Sequence, residues 1–129
     1  MAKKQIATFL GPNKGISIVG THAYSYSGVV SVNDTEASLI ETTTGKYYLV
    51  GQISFGYPDF SNDNFRYRIY MNGQQLWGIE VLSGADANLI DPIDIVVPPN
   101  TTIRITADNV SSGNSVNQVA TMLGRVYDA

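Results

Sequence analysis

The chain has 129 residues, 43% hydrophobic and 15% charged, with a net charge of −3 and no cysteine. That length suits one domain able to bury roughly two thirds of its unfolded surface, and the missing thiols exclude disulfides, thiolate zinc sites and Cys–His catalysis. Average proteins carry about 25% charged residues, so this chain relies on Ser, Thr, Asn and Gly for its polar surface. Beyond Lys3-Lys4 there is no basic cluster of the kind that phosphate-backbone binding needs, so no nucleic acid partner is expected.

Lys3-Lys4 leads into QIATFL, whose apolar part is too short for a signal peptide and is broken at Gly11-Pro12. No run approaches the ~18–20 apolar residues of a membrane-spanning helix, so no membrane partner is expected and synthesis in the cytoplasm is the expectation. The segment Gln5 to Leu10 reads as a strand, and residues 1–14 as an amino-terminal arm ahead of one β domain over 15–129. Ile16–Val19 and Tyr24–Val32 are β-rich, separated around Gly20-Thr21-His22. Asn33-Asp34 reads as a turn, Ala37–Thr43 as a weaker segment, and Thr44-Gly45-Lys46 as the turn into YYLVGQISFG. Tyr47, Leu49, Gly51, Ile53 and Phe55 share one face of that strand, where a glycine implies a bend or a close backbone approach.

After the polar loop Tyr57–Asn64, FRYRIYM and QQLWGIEVL flank Asn72-Gly73. That dipeptide supplies the two positive φ angles of a type I′ hairpin turn. The loop Ser83–Asp91 has room for one short helical turn. In IDIVVPPNTTIRITAD a short apolar run stops at Pro98-Pro99, which cannot continue a sheet ladder. Ile103, Ile105 and Ala107 then alternate with Thr102, Arg104, Thr106 and Asp108, the period of a strand with one dry and one wet face. Asn109–Asn117 reads as a mobile loop. The last strand, about Gln118 to Tyr127, is apolar on both sides, with Val119, Leu123 and Tyr127 against Ala120, Met122 and Val126. Such a strand lies either inside the fold or at a subunit interface. Eight to ten short strands without an amphipathic helix predict an all-β, antiparallel sandwich of jelly-roll type.

Few residues offer chemistry. His22 is the only histidine, and its setting GTHAYSYSG lacks a nucleophile-elbow pattern, so it reads as a surface or strand-edge residue. Asp91 and Asp94 flank Pro92, but their odd offset puts the two carboxylates on opposite strand faces. Asp59 to Asn64 places oxygen ligands like the start of a calcium loop. It lacks the glycine at the sixth position, and Tyr70 stands where the closing glutamate belongs. An Asx-rich loop bonding its own backbone is the favoured reading, and neither a metal nor a cofactor is expected. Arg66 and Arg68 share a strand face and are expected to pair with Glu80 across the hairpin, or with acidic groups on a partner. The eight tyrosines divide among core, protein interface and glycan platform.

The segment VVPPNTTIRITADNVSSGNSVNQVATMLGRVYD, with the hairpin YRIYMNGQQLWGIEV, resembles small β-sandwich virion proteins of tailed bacteriophages. The likeness covers the last quarter of the chain and, more loosely, the hairpin. It implies a non-enzymatic structural role: a capsid decoration protein on the virion surface, bound to the major capsid protein, as a homo-oligomer with a trimer favoured. No residue role transfers position by position. The expected contacts are the arm (Met1 to Lys14) and the loops, with Tyr57, Asp59, Phe60, Asp63, Arg66, Arg68, Trp77 and Asp86 as candidates. One alternative is a receptor- or carbohydrate-binding module using Trp77 and loop tyrosines. The other is a polysaccharide-acting enzyme using Asp91, Asp94 or His22.

Overall fold

The computed structural model describes residues 16–56, 63–81 and 91–128. The amino-terminal strand, the helical turn expected within Ser83–Asp91, and most of the loop Tyr57–Asn64 fall outside them. The described residues form ten strands: β1 (Ser17–Val19), β2 (His22–Tyr26), β3 (Val30–Val32), β4 (Ala37–Thr43), β5 (Tyr47–Gly56), β6 (Phe65–Met71), β7 (Gln74–Val81), β8 (Ile93–Val97), β9 (Thr102–Asn109) and β10 (Val116–Asp128). One sheet has the order β1-β2-β10-β5-β8, with β3 joining the amino-terminal end of β10. The other has the order β4-β9-β6-β7.

These orders follow from one long hairpin rolled on itself. Its tip is Asn72-Gly73, with φ of 50° and 81° as a type I′ turn requires. Around that tip nest the antiparallel pairs β6–β7, β5–β8, β4–β9 and β2–β10, alternating between the two sheets. That is a jelly roll. The expected single run Tyr24–Val32 is broken at Ser27, whose N–H and hydroxyl both turn to Ala120. Ser27 N donates to the Ala120 carbonyl at 2.9 Å, and the Ala120 amide donates to Ser27 Oγ at 2.8 Å. Gly28, at φ 71°, then redirects the chain into β3.

The inward sides of the strands make one core, including Leu39, Leu49, Ile53, Ile69, Val97, Ile103, Ile105 and Met122. Aromatic rings bridge the two sheets: Phe55 meets Tyr67 at 4.7 Å between centroids and stacks on Trp77 at 5.9 Å, nearly parallel. The Tyr67 hydroxyl donates to Gln118 Oε1 at 2.6 Å with both side chains fully buried. Gln118 Nε2 finds no partner among the described residues, so among them this bond is the compensation the side-chain amide has for leaving water.

The double proline closes one end. Thr44, 1% exposed, donates its hydroxyl to the Pro98 carbonyl at 2.7 Å and accepts from the Thr101 amide at 3.1 Å. Asn100 takes the left-handed conformation at φ 55° that the reversal demands, one that asparagine tolerates. In mid-sheet, Gly51 on β5 lies opposite Gly124 on β10. A Cβ on Gly51 would collide with the Leu123 carbonyl, and one on Gly124 with that of Val50. The glycine on the inward face of β5 therefore marks a close backbone approach, as its position in the sequence implied.

Gly124→Ala is expected to destabilise the fold by about 1–3 kcal/mol, since backbone must move to admit the methyl. Gly113→Ala, where a Cβ meets only ordinary contacts with Asp34, should stay within about 0.5 kcal/mol of wild type; urea unfolding of the two variants measures the contrast. By the same measurement Tyr67→Phe should cost about 1–3 kcal/mol, because the buried Gln118 side chain would then have no hydrogen-bond partner among the described residues.

Candidate functional site

The two sheets present unlike outer faces. On β4-β9-β6 the outward residues are polar and spent on one another. Arg66 Nη2 meets Asp108 Oδ2 at 2.9 Å, and Arg68 Nη1 meets Glu36 Oε1 at 3.3 Å. Glu36 also accepts from the Tyr70 hydroxyl at 2.8 Å and from Thr106 Oγ1. Arg104 donates to Ser38 Oγ at 2.7 Å, with its guanidinium 5.5 Å from the centre of the Tyr70 ring. Burial works to raise the Glu36 pKa, but hydrogen bonds from Thr106 and Tyr70 and the charges of Arg68 and Arg104 outweigh it. They hold the carboxyl below its ordinary value.

This arrangement corrects the expected pairing of Arg66 and Arg68 with Glu80. Glu80 does lie opposite Arg66 on β7, but so does Asp108 on β9. The Asp108 side chain is only 7% exposed, so it depends on a cation, whereas exposed Glu80 is solvated by water. Both arginines are thus held within the sheet.

On β1-β2-β10-β5-β8 the outward residues form cross-strand rows. One row runs Tyr24–Leu123–Gln52–Asp94, and the next runs His22–Arg125–Val50–Val96. Tyr26 lies beyond one end of these rows, and Tyr127 beside Tyr48 beyond the other. Tyr24, Tyr26, Tyr48, Val50, Val96, Leu123 and Tyr127 are each between 41% and 57% exposed. No other stretch of the described surface gathers so many large apolar groups. A shallow trough crosses the Gly51–Gly124 pair, flanked by Tyr24, Val50, Leu123 and Tyr127. The two-sided last strand is explained: β10 lies in mid-sheet, with Ala120 and Met122 in the core and Leu123 and Tyr127 outside and uncovered.

No protein-family model, curated protein or solved structure matches the chain. The chemistry of the surface is therefore its own guide. Of the candidate contact residues, Tyr57, Asp59, Phe60 and Asp86 lie outside the described residues. Asp63 is engaged at one end of the sandwich, where its Oδ2 accepts from Asn109 Nδ2 at 3.0 Å and from Ser112 Oγ at 3.2 Å. Trp77 is half-buried with its ring stacked on Phe55, a packing role where the carbohydrate-binding alternative has an open platform.

The loop expected to be mobile is knotted around Asn109, 2% exposed. Its Oδ1 accepts from the amides of Ser111 and Ser112 and its Nδ2 donates to the Asn114 carbonyl. His22 is exposed on the sheet beside Arg125. Asp94 accepts from Gln52 Nε2 at 2.9 Å, and Asp91 is exposed ahead of β8. Among the described residues, no group of three His, Asp or Glu side chains is placed to hold a metal ion.

The apolar face was only partly readable in advance. Tyr24 and Tyr26 share a parity and β10 is apolar on both sides, but Val50, Tyr48 and Val96 join them only once β5 and β8 are known to be neighbours.

Because the Glu36 carboxyl is held below 4.5, its ordinary value, the unfolded chain takes up that proton first. The contribution of Glu36 is therefore complete above about pH 4.5 and is lost as pH falls through that value and below it. Glu36→Gln is expected to cost about 1–3 kcal/mol at neutral pH. The gap between variant and wild type should close on acidification, as followed by urea unfolding at a series of pH values.

Proposed function

We propose that the chain is a virion structural protein of the capsid-decoration type, which binds between major capsid subunits and stabilises the assembled shell. The observation that carries this reading is the uncovered apolar face of β2-β10-β5-β8, presented on a rigid jelly roll whose other outer face is closed by its own ion pairs. An apolar sheet left open on one side and dressed with half-exposed tyrosines is built for contact with protein. The jelly roll is common among capsid and lectin domains, and the resemblance of Val96–Asp128 to phage virion proteins favours the capsid of the two. Several copies acting together, with three favoured, turn weak individual contacts into firm attachment. Binding the assembled lattice more tightly than its dissociated subunits stabilises it by mass action. Surface display on the virion follows from that role, with no cofactor and no catalysis required.

Purified protein added to capsids that lack it should sediment with them and raise the temperature at which the shells come apart. Absence of binding together with unchanged heat stability would sink the proposal. Binding to an array of glycans by protein that ignores capsids would move the assignment to a carbohydrate-binding module.

A further inference from the structure

We infer that the outer face of β1-β2-β10-β5-β8 is where copies of this chain pack on one another. The inference rests on the reading of this face as a protein contact surface and gives it to a second copy. Attachment of the resulting oligomer to a capsid would then fall to the arm and loops expected as contacts, and the mass measurement is decided whether or not the chain meets a capsid.

The size of the face is the first argument. Tyr24, Tyr26, Tyr48 and Tyr127 are each about half open, so their rings leave roughly 300–500 Å² uncovered, taking ~150–250 Å² for a whole aromatic side chain. Val19, Val50, Val96 and Leu123, also about half open, carry the total past the ~300–600 Å² of the largest patch on an ordinary monomer. It then approaches the ~800 Å² per partner of a stable interface.

Contrast within the molecule is the second. The chain covers the opposite outer face with three arginines and their acceptors, yet supplies this larger apolar surface with almost no charge. Apart from Val29 in a turn and Leu76 and Ile79 on β7, every large apolar side chain exposed among the described residues lies here.

Complementarity of the face with itself is the third argument, and it decides the occupant. The β2–β10 half carries Tyr24 and Leu123 together with the cationic Arg125 and, beside it, His22. The β5–β8 half carries Val50 and Val96 together with the carboxylate of Asp94. Laying the first half of one copy on the second half of the next sets aliphatic and aromatic groups on one another and brings Arg125 toward Asp94. A surface whose two halves match each other is satisfied by another copy of itself, and a closed assembly satisfies every copy. The trough over Gly51 and Gly124 gives a neighbouring side chain a seat at the centre.

The experiment is the mass of the full chain in solution at micromolar concentration, by light scattering and sedimentation equilibrium. Wild type should have a multiple of the 14.0 kDa chain mass. Leu123→Glu and Val96→Lys should each fall to a single copy while keeping the circular dichroism of a folded β protein. Leu76→Lys, on the other sheet and equally exposed, should keep the wild-type mass. Leu123 and Val96 point into solvent, and should either variant lose its fold the other carries the test. Footprinting of wild-type tyrosines is a check without substitution: Tyr24 and Tyr127 should be shielded relative to Tyr70. A monomeric wild type overturns the inference. So does an oligomer whose mass survives both Leu123→Glu and Val96→Lys.

Discussion

The register of β10 against β5 is the constraint on which the rest of the structure depends. Ten consecutive pairs join them, from Val119 with Gly56 to Asp128 with Tyr47, and β10 also carries β2 and β3. Because side chains alternate, a slip of one residue would send Met122 outward and Leu123 inward. Both are apolar, so hydrophobicity alone barely opposes the exchange. Backbone contact does. The two strands approach so closely at Gly51 and Gly124 that neither position admits a Cβ, and a slip would set Leu123 or Arg125 opposite Gly51. Polar anchors agree with the glycines. Only the observed register puts Gln118 within reach of Tyr67 and the Ala120 amide against Ser27.

Once the register is fixed, the chemistry of the two outer faces follows from parity. β9 and β6 turn Arg104, Thr106, Asp108, Arg66 and Arg68 outward, and neighbouring strands supply what those groups need. β10, β5 and β2 turn out tyrosines, valines and a leucine, and nothing in the described chain covers them. The edge strand β7 carries exposed Gln74, Gln75 and Glu80 together with exposed Leu76 and Ile79.

The elements that rest on local rules were legible in the sequence. Asn72-Gly73 marks its hairpin because both residues need positive φ, and Ile103–Ile105–Ala107 shows its buried side by simple alternation. Pro98-Pro99 ends a strand because neither residue has an amide proton to give. What was not legible depends on which strands become neighbours. Arg66 lies between Glu80 and Asp108, and parity permits both partners; burial of Asp108 decides between them. The ring of Trp77 looks free until Phe55, far away in sequence, is found stacked on it. The Ser- and Asn-rich loop after Asn109 has the composition of a mobile segment, yet a single buried amide gathers it. Composition reports the hydrogen-bonding capacity of such a loop but not whether the fold places a buried hub within its reach.

Tyrosine links the low charge of the chain to its apolar surface. A sheet face of leucine and isoleucine would cost the isolated chain its solubility, since each exposed side chain is wholly apolar. Tyrosine carries a large ring with a hydroxyl that stays hydrated while the ring waits for a partner, and it has only two side-chain torsions to fix on contact. Four of the exposed groups on this face are of that kind. They are set on strands, Tyr24 paired on both sides and Tyr26, Tyr48 and Tyr127 on one, so limited backbone freedom would remain to be lost on contact. A face built this way keeps a hydroxyl in water beside each exposed ring, which is how a protein with 15% charged residues can carry so broad an apolar face.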